Sequence, residues 1–265
     1  MKKFKNYILE KLDGLRRFSP LLKELVVRDI KVRYRHSVLG LLWTVLNPLL
    51  MMIVITIVFS TLFKTDIEHF PIYYLAGSLL FSFNSESTTT AMHSMISNAS
   101  LIKKVYIPKY LFPFSNVLSA MVNLGFSLIA MFIVMIVTGA PFHVTLLLIP
   151  IPIFYVFVFA TGLGIMLSAL TVFFRDIAHF YGVFILAWTY LTPIFYPVSI
   201  LPPALMKIMQ FNPMYHYVSF MRDLVLNGTF PSMRGNLICI AMSLAMLVLG
   251  LFVFYKKQDK FVLYV

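Results

Sequence analysis

The stretch "RDIKVRYRHSVLGLLWTVLNPLL", Arg28 to Leu50, joins two halves suited to different solvents. Its first eight residues carry Arg28, Lys31, Arg33 and Arg35. The next charge is Lys64, after 28 uncharged and mostly apolar residues. A helix that crosses a bilayer needs about 20 predominantly apolar residues. The sequence therefore predicts a first span over 38–63, with the basic tract as its shoulder at the headgroups.

The rest of the chain agrees with this reading. Of 265 residues 60% are hydrophobic and only 12% charged, with mean hydropathy +0.87, whereas a soluble domain is about a quarter charged. The net charge of +12 sits at the ends of apolar runs rather than on one surface, which indicates membrane topology and not nucleic-acid binding. One cysteine, Cys239, lies within an apolar run, so no intrachain disulfide can form and a small buried hydrophobe is expected. No apolar segment precedes about residue 38, so a cleaved secretory signal is not expected.

Six segments are long and apolar enough to span: 38–63, 72–92, 109–138, 142–172, 178–198 and 234–255. The third and fourth share one charge-free run of 65 residues from Tyr110 to Phe174, broken by Gly139-Ala140-Pro141. Six spans put both termini on one side, which then carries 18 Lys and Arg against 4 on the other. That bias predicts cytoplasmic termini. The expected organisation is all-α: cytoplasmic N-terminal helices over 1–37 and a six-span domain over 38–265.

Two segments are not spans. At helical spacing Phe4, Ile8, Leu12 and Leu15 share one face and Lys3, Asn6, Glu10, Asp13 and Arg17 the other, which describes an amphipathic interfacial helix. Ser19 and Pro20 then read as the N-cap and first helical position of a second helix, with Glu24→Arg28 and Asp29→Arg33 at i,i+4 spacing. Between the last two spans, residues 196–233 are too interrupted by Pro197, Pro202, Pro203 and Pro213 to cross and too apolar for an ordinary loop. Two short helices near 203–211 and 214–226 are predicted there, re-entrant or on the outer interface.

The chain lacks a GxxxxGK[ST] phosphate loop, HExxH and a CxxC pair, so it carries no recognisable energy source or metal site. Glu86, in "SFNSESTTT" (82–90), falls about 21 Å into the second span at 1.5 Å per residue. Ser82, Glu86 and Thr89 share a face there, to line a polar vestibule or to fix helix packing. Tyr181, Phe184, Trp188 and Phe195 fall within a roughly 60° arc of the fifth span. Ordinary core packing explains that stripe, but a mid-span indole N–H needs protein or a cavity beside it. Ala160, Gly164 and Ser168 form a small-residue face for close helix contact. Asn47-Pro48 should kink the first span and free the Thr44 carbonyl. The loop "NASLIKKVYIPKYLFP" (98–113) sets topology or forms a docking knob ending in Lys103-Lys104.

With "VFFRDI" (172–177) and "LTPIFYPVSILP…NPMYH" (191–216), these stretches resemble permease subunits of type-2 ABC exporters, in particular those exporting O-antigen, capsule or teichoic acid. The resemblance runs through nearly the whole chain. It implies a homodimer of six-span subunits in the bacterial cytoplasmic membrane, bound to two copies of an ATPase that holds the ATP and Mg. It implies coupling to that ATPase through Ser94, Ile96, Asn98, Leu101, Lys103 and Lys104. The translocation path would run along Tyr181, Phe184, Trp188 and Phe195, and an external gate would include Met206, Phe211, Tyr215 and Phe220. The substrate implied is a polyprenyl-diphosphate-linked glycan.

The tract Arg28, Lys31, Arg33 and Arg35 attracts anionic lipid, at about 1 kcal/mol per basic residue, and its arginines suit a substrate phosphate. A drug or small-molecule exporter is the alternative transporter. An integral-membrane glycan-processing enzyme is the alternative from another class. The scattered Arg175-Asp176, His179, His216 and Arg222-Asp223 give that enzyme no base–nucleophile spacing, and no catalytic residue is assigned.

Overall fold

The computed structural model describes residues 14, 16–61, 67–105 and 107–264. The amphipathic face predicted over residues 2–17 lies almost wholly outside them. The described residues are mostly helical, and no strand occurs among them. Helices α1 (Ser19–Tyr34), α2 (Trp43–Thr61), α3 (Phe70–Ser97), α4 (Ala99–Lys104), α5 (Leu111–Thr138) and α6 (Pro150–Thr171) follow in order. They continue as α7 (Ile177–Leu191), α8 (Pro203–Met209), α9 (Pro213–Val225), α10 (Met233–Lys257) and α11 (Phe261–Tyr264). Among the described residues four stretches are long and apolar enough to cross a membrane: Gly40–Phe59, Leu111–Thr138, Val144–Thr171 and Met233–Lys260.

The central helix is α3, whose residues from Ile72 to Met95 are mostly buried. It is too polar to qualify on hydropathy alone, yet several of its hydroxyls find partners within the helix. Ser87 and Thr88 donate to the Asn84 carbonyl (3.1 and 2.6 Å), Thr90 to that of Glu86 (2.8 Å) and Ser94 to that of Ala91 (2.6 Å). Such back-bonding satisfies polar side chains within their own helix. Around α3 pack α5, α6 and α9, and α10 packs on α6. At the α6–α10 crossing Gly162 and Gly250 meet backbone to backbone, so neither has room for a Cβ. Gly164, on the predicted small-residue face, lies against Ala91 of α3.

The junction of basic tract and first span is an elbow. Gly40 takes φ +50, which glycine adopts without strain, and its N–H donates to Ser37 Oγ at 3.0 Å. Helix α2 then runs through Pro48, which cannot donate to the Thr44 carbonyl. Ser127 of α5 supplies the missing donor at 3.0 Å. The freed carbonyl is thus a point of attachment between the first and third apolar helices.

Several expectations shift. Ser19 does not cap α1: the cap position is Phe18, with no side-chain bond. The Glu24→Arg28 and Asp29→Arg33 pairs do not form. Arg28 bonds Asp29 and Asn98, and Arg33 bonds Glu86, because tertiary partners outweigh the few tenths of a kcal/mol of an exposed i,i+4 pair. Helix α7 stops at Leu191, short of the predicted 198, because Pro193 holds Thr192 extended (ψ 130). At roughly 1.5 Å per residue its 15 residues cover only about 22 Å.

Candidate functional site

The elbow opens onto a groove of about 740 Å³ between α1, α2, α3 and α5. It is lined by Arg33, Tyr34, Trp43, Thr44, Asn47, Tyr74, Ser78, Ser82, Glu86, Asn123 and Ser127. At 100° per residue Arg33 points away from Arg28, Lys31 and Arg35, and the structure divides the tract accordingly. Those three share a separate groove on α1 with Glu24, while Arg33 turns inward to pair with Glu86. Burial alone would lower the Arg33 pKa, but the hydrogen bond and charge of Glu86 hold it above its ordinary value. Burial pushes Tyr34 up, partly offset by Arg33.

Asn123 Nδ2 also donates to Glu86 Oε1, at 2.8 Å. A carboxylate only accepts, so the amide nitrogen must face it. The Asn123 oxygen is left buried and without a partner, in a residue only 6% exposed. The groove thus combines a guanidinium, a carboxylate, an open amide acceptor, hydroxyls and the half-exposed indole of Trp43. Such a set suits a charged, hydroxyl-bearing ligand.

A second polar weld lies near the far end of α3. Arg222 of α9 is 7% exposed and donates to the carbonyls of Tyr73 (3.2 Å), Pro193 (2.7 Å) and Ile194 (3.0 Å). Its guanidinium carbon lies 3.4 Å from the Tyr73 ring centroid. The break after α7 exposes carbonyls that one arginine fork collects. Asn212 caps α9 through Met214 N–H (3.0 Å), accepts from Trp188 Nε1 (2.8 Å) and donates to Thr192 Oγ1 (3.1 Å).

Of the aromatic stripe, Tyr181 and Trp188 are buried, with Tyr181 bonded to Thr88 at 2.7 Å. The indole N–H therefore faces protein, although Trp188 lies three residues from the end of the shortened α7 and not at its middle. Phe184 is 45% exposed, and Phe195, beyond the helix end, packs on Phe59 and Tyr74. On the α3–α4 corner Ser94 is buried, Ile96, Asn98 and Leu101 are half-buried, and Lys103 and Lys104 are exposed. Arg28 reaches this corner through Asn98 Oδ1 at 3.2 Å. On the outer helices Phe211 is exposed, Met206 and Tyr215 half-buried and Phe220 buried. Lys31 and Arg35 are exposed. No group of three metal-ligating side chains occurs among the described residues.

Sequence reasoning missed Asn123 and Asn212 and set Arg222 aside with the enzyme candidates. Asn123 is a lone polar residue in an apolar context, and Asn212-Pro213 is a helix-start signal.

Comparison with known proteins gives a consistent result. A family model described as "ABC-2 type transporter" matches residues 20–226. The O-antigen export system permease protein RfbA of Klebsiella pneumoniae is 29% identical over 242 residues, covering 91% of this chain and 93% of that protein. The protein of the same name from Myxococcus xanthus is 28% identical over 251 residues, 93% of this chain and 96% of its own.

Proposed function

The chain belongs to the ABC-2 type transporter family, and on that premise we propose that it is the membrane-spanning subunit of an ATP-driven polysaccharide exporter. The observation that carries this reading is the likeness, over more than nine-tenths of both chains, to permeases named for O-antigen export. The chain is a transporter subunit and not an enzyme; ATP and Mg belong to a partner ATPase.

The finer reading is that α2, α3, α5, α6, α7 and α10 are six spans with both termini cytoplasmic in the inner membrane, as the Lys and Arg bias supports. Two copies would pair, because α2 and α7 expose apolar faces that include Leu50, Met51, Val54, Phe180, Val183 and Leu186. Two ATPase subunits would dock on the α3–α4 corner. Nucleotide binding would shift the population between conformations of the permease, which requires differential affinity of ATP for the two. The substrate would be a polyprenyl-diphosphate-linked glycan that enters beside Arg33 and leaves past α8 and α9.

A tagged chain purified from its native membrane in mild detergent tests this. Recovery of a near-equimolar P-loop ATPase is expected, lost when residues 94–104 are replaced. Purification alone, or only with glycan-synthesis enzymes, overturns it.

A further inference from the structure

We propose that the Arg33–Glu86–Asn123 groove is a diphosphate-sugar subsite whose phosphate position is held, in the empty protein, by Glu86 acting as an internal competitor. The inference deepens the exporter reading and rests on it. Three independent features converge. First, Arg33 is the one member of its basic tract turned into the groove, while Arg28, Lys31 and Arg35 line the other face of α1. Its partner there is a carboxylate, the side chain whose geometry a phosphate reproduces on a guanidinium.

Second, the pair is not locked away. The two side chains are 35% and 32% exposed, so Glu86 can swing off Arg33 toward water without the penalty of a fully buried charge. When it leaves, Asn123 Nδ2, which donates to Glu86 in the empty protein, becomes a second phosphate donor. Tyr34 lines the same wall.

Third, Asn123 Oδ1 is buried and unpartnered, which is costly unless a donor arrives to satisfy it. A hydroxyl of the sugar next to the diphosphate is such a donor. Trp43, 44% exposed beside it, offers an indole face to that ring. A groove of about 740 Å³ has room for both parts.

The consequence is specific. Removing the Glu86 charge should tighten diphosphate binding, whereas a merely structural ion pair would weaken or destabilise the protein when broken. Glu86→Gln is the informative variant, since the amide oxygen still accepts from Asn123. The full chain is placed in phosphatidylcholine nanodiscs, and equilibrium binding of radiolabelled farnesyl diphosphate is measured. Glu86→Gln should bind about two- to fivefold more tightly than native, the change that release of one half-exposed ion pair allows. Arg33→Gln and the double variant Arg33→Gln/Glu86→Gln should both bind at least about tenfold more weakly than native, and Arg234→Gln, at an exposed arginine outside the groove, should bind as native.

Each variant is checked for a monodisperse elution peak. Glu86→Gln equal to or weaker than native, or Arg33→Gln unaffected, overturns the proposal. Competition arms separate the source of the phosphate. Displacement by phosphatidylglycerol nanodiscs as effective as by unlabelled farnesyl diphosphate assigns the groove to bilayer headgroups and overturns the substrate assignment. Failure of these arms while the native complex still exports glycan sinks only the competitor model. Normal binding without export by the assembled complex sinks the exporter reading instead.

Discussion

Replacement of Arg222 by lysine tests whether a single side chain welds the outer helices to the bundle. Arg222 donates to three carbonyls, two of them freed by the break after Leu191, and stacks on Tyr73. Hydrogen bonds from a charged group contribute about 1.5–3 kcal/mol each, and a desolvated cation–π contact adds about 1–2 kcal/mol. Lysine keeps the charge but neither the planar fork nor the stack. It can recover about one of the three bonds, and the adjoining cavity of about 760 Å³ admits water to the remaining carbonyls. The net loss should be about 3–4 kcal/mol, which for a chain of this size lowers the melting temperature by roughly 10 °C at about 2–4 °C per kcal/mol. Cys239 provides the assay: it is the only cysteine, is 1% exposed, and will react with a fluorogenic maleimide only as the fold opens. Thermal scans of purified protein should show the R222K transition displaced by that amount. A shift under about 2 °C would refute the argument that the three carbonyls depend on this arginine.

Ser127→Ala should cost about 1–2 kcal/mol by stranding the Thr44 carbonyl. In a Pro48→Ala background the same change should cost almost nothing, because an alanine at position 48 restores the helical donor; the double-mutant cycle by thiol-reactivity melting measures the difference. Gly162→Ala or Gly250→Ala should abolish the monodisperse elution peak, since each Cβ meets backbone, while Gly125→Ala, in open space, should elute as native. Asn212→Ala should remove both the α9 cap and the indole's acceptor, destabilising the fold by about 2 kcal/mol. It should also change Trp188 emission, measured with Trp43→Phe so that one tryptophan reports.

The long apolar helices were legible because hydropathy over about 20 residues is a property of local sequence. Observed limits such as Leu111–Thr138 and Met233–Lys257 fall within a few residues of expectation, as do the short helices Pro203–Met209 and Pro213–Val225. Pro48 identified the freed Thr44 carbonyl, but nothing in the linear order could name Ser127, 83 residues away, as its donor. Partners for Glu86 and Arg222 were illegible for the same reason. Each is satisfied across sequence separations of 28 to 149 residues, and periodicity gives the face of a helix but not what meets it. The aromatic stripe shows the limit most directly: Tyr181, Phe184 and Trp188 do meet along α7, Phe195 lies past its end, and two of the rings are committed to Thr88 and Asn212.

How a push on the α3–α4 corner would travel follows from which helices are tied to which. Leu22 and Leu25 of α1, Met95 of α3, Ile102 of α4, Leu111 and Phe112 of α5, Ile165 and Ala169 of α6, Phe254 of α10 and Phe261 of α11 form one apolar knot. Close-packed side chains of this kind transmit displacement rather than absorb it. Helices α3, α5, α6 and α10 are also anchored along their length by the central core and by glycine contacts. Helix α1 lacks those anchors. It is held by the knot, by Arg28 on Asn98 and by Arg33 on Glu86, and it ends at the glycine elbow. Of the elements in the knot, the short α4 and α11 lack those anchors too, and α1 is the longest that does; it is therefore the element suited to act as a lever, with α2 as its load. The ion pair at Glu86 is its attachment nearest the elbow. On the proposed reading, a phosphate that took Arg33 from Glu86 would also loosen α1 beside α2, so that substrate binding and the mechanical stroke would act on the same bond.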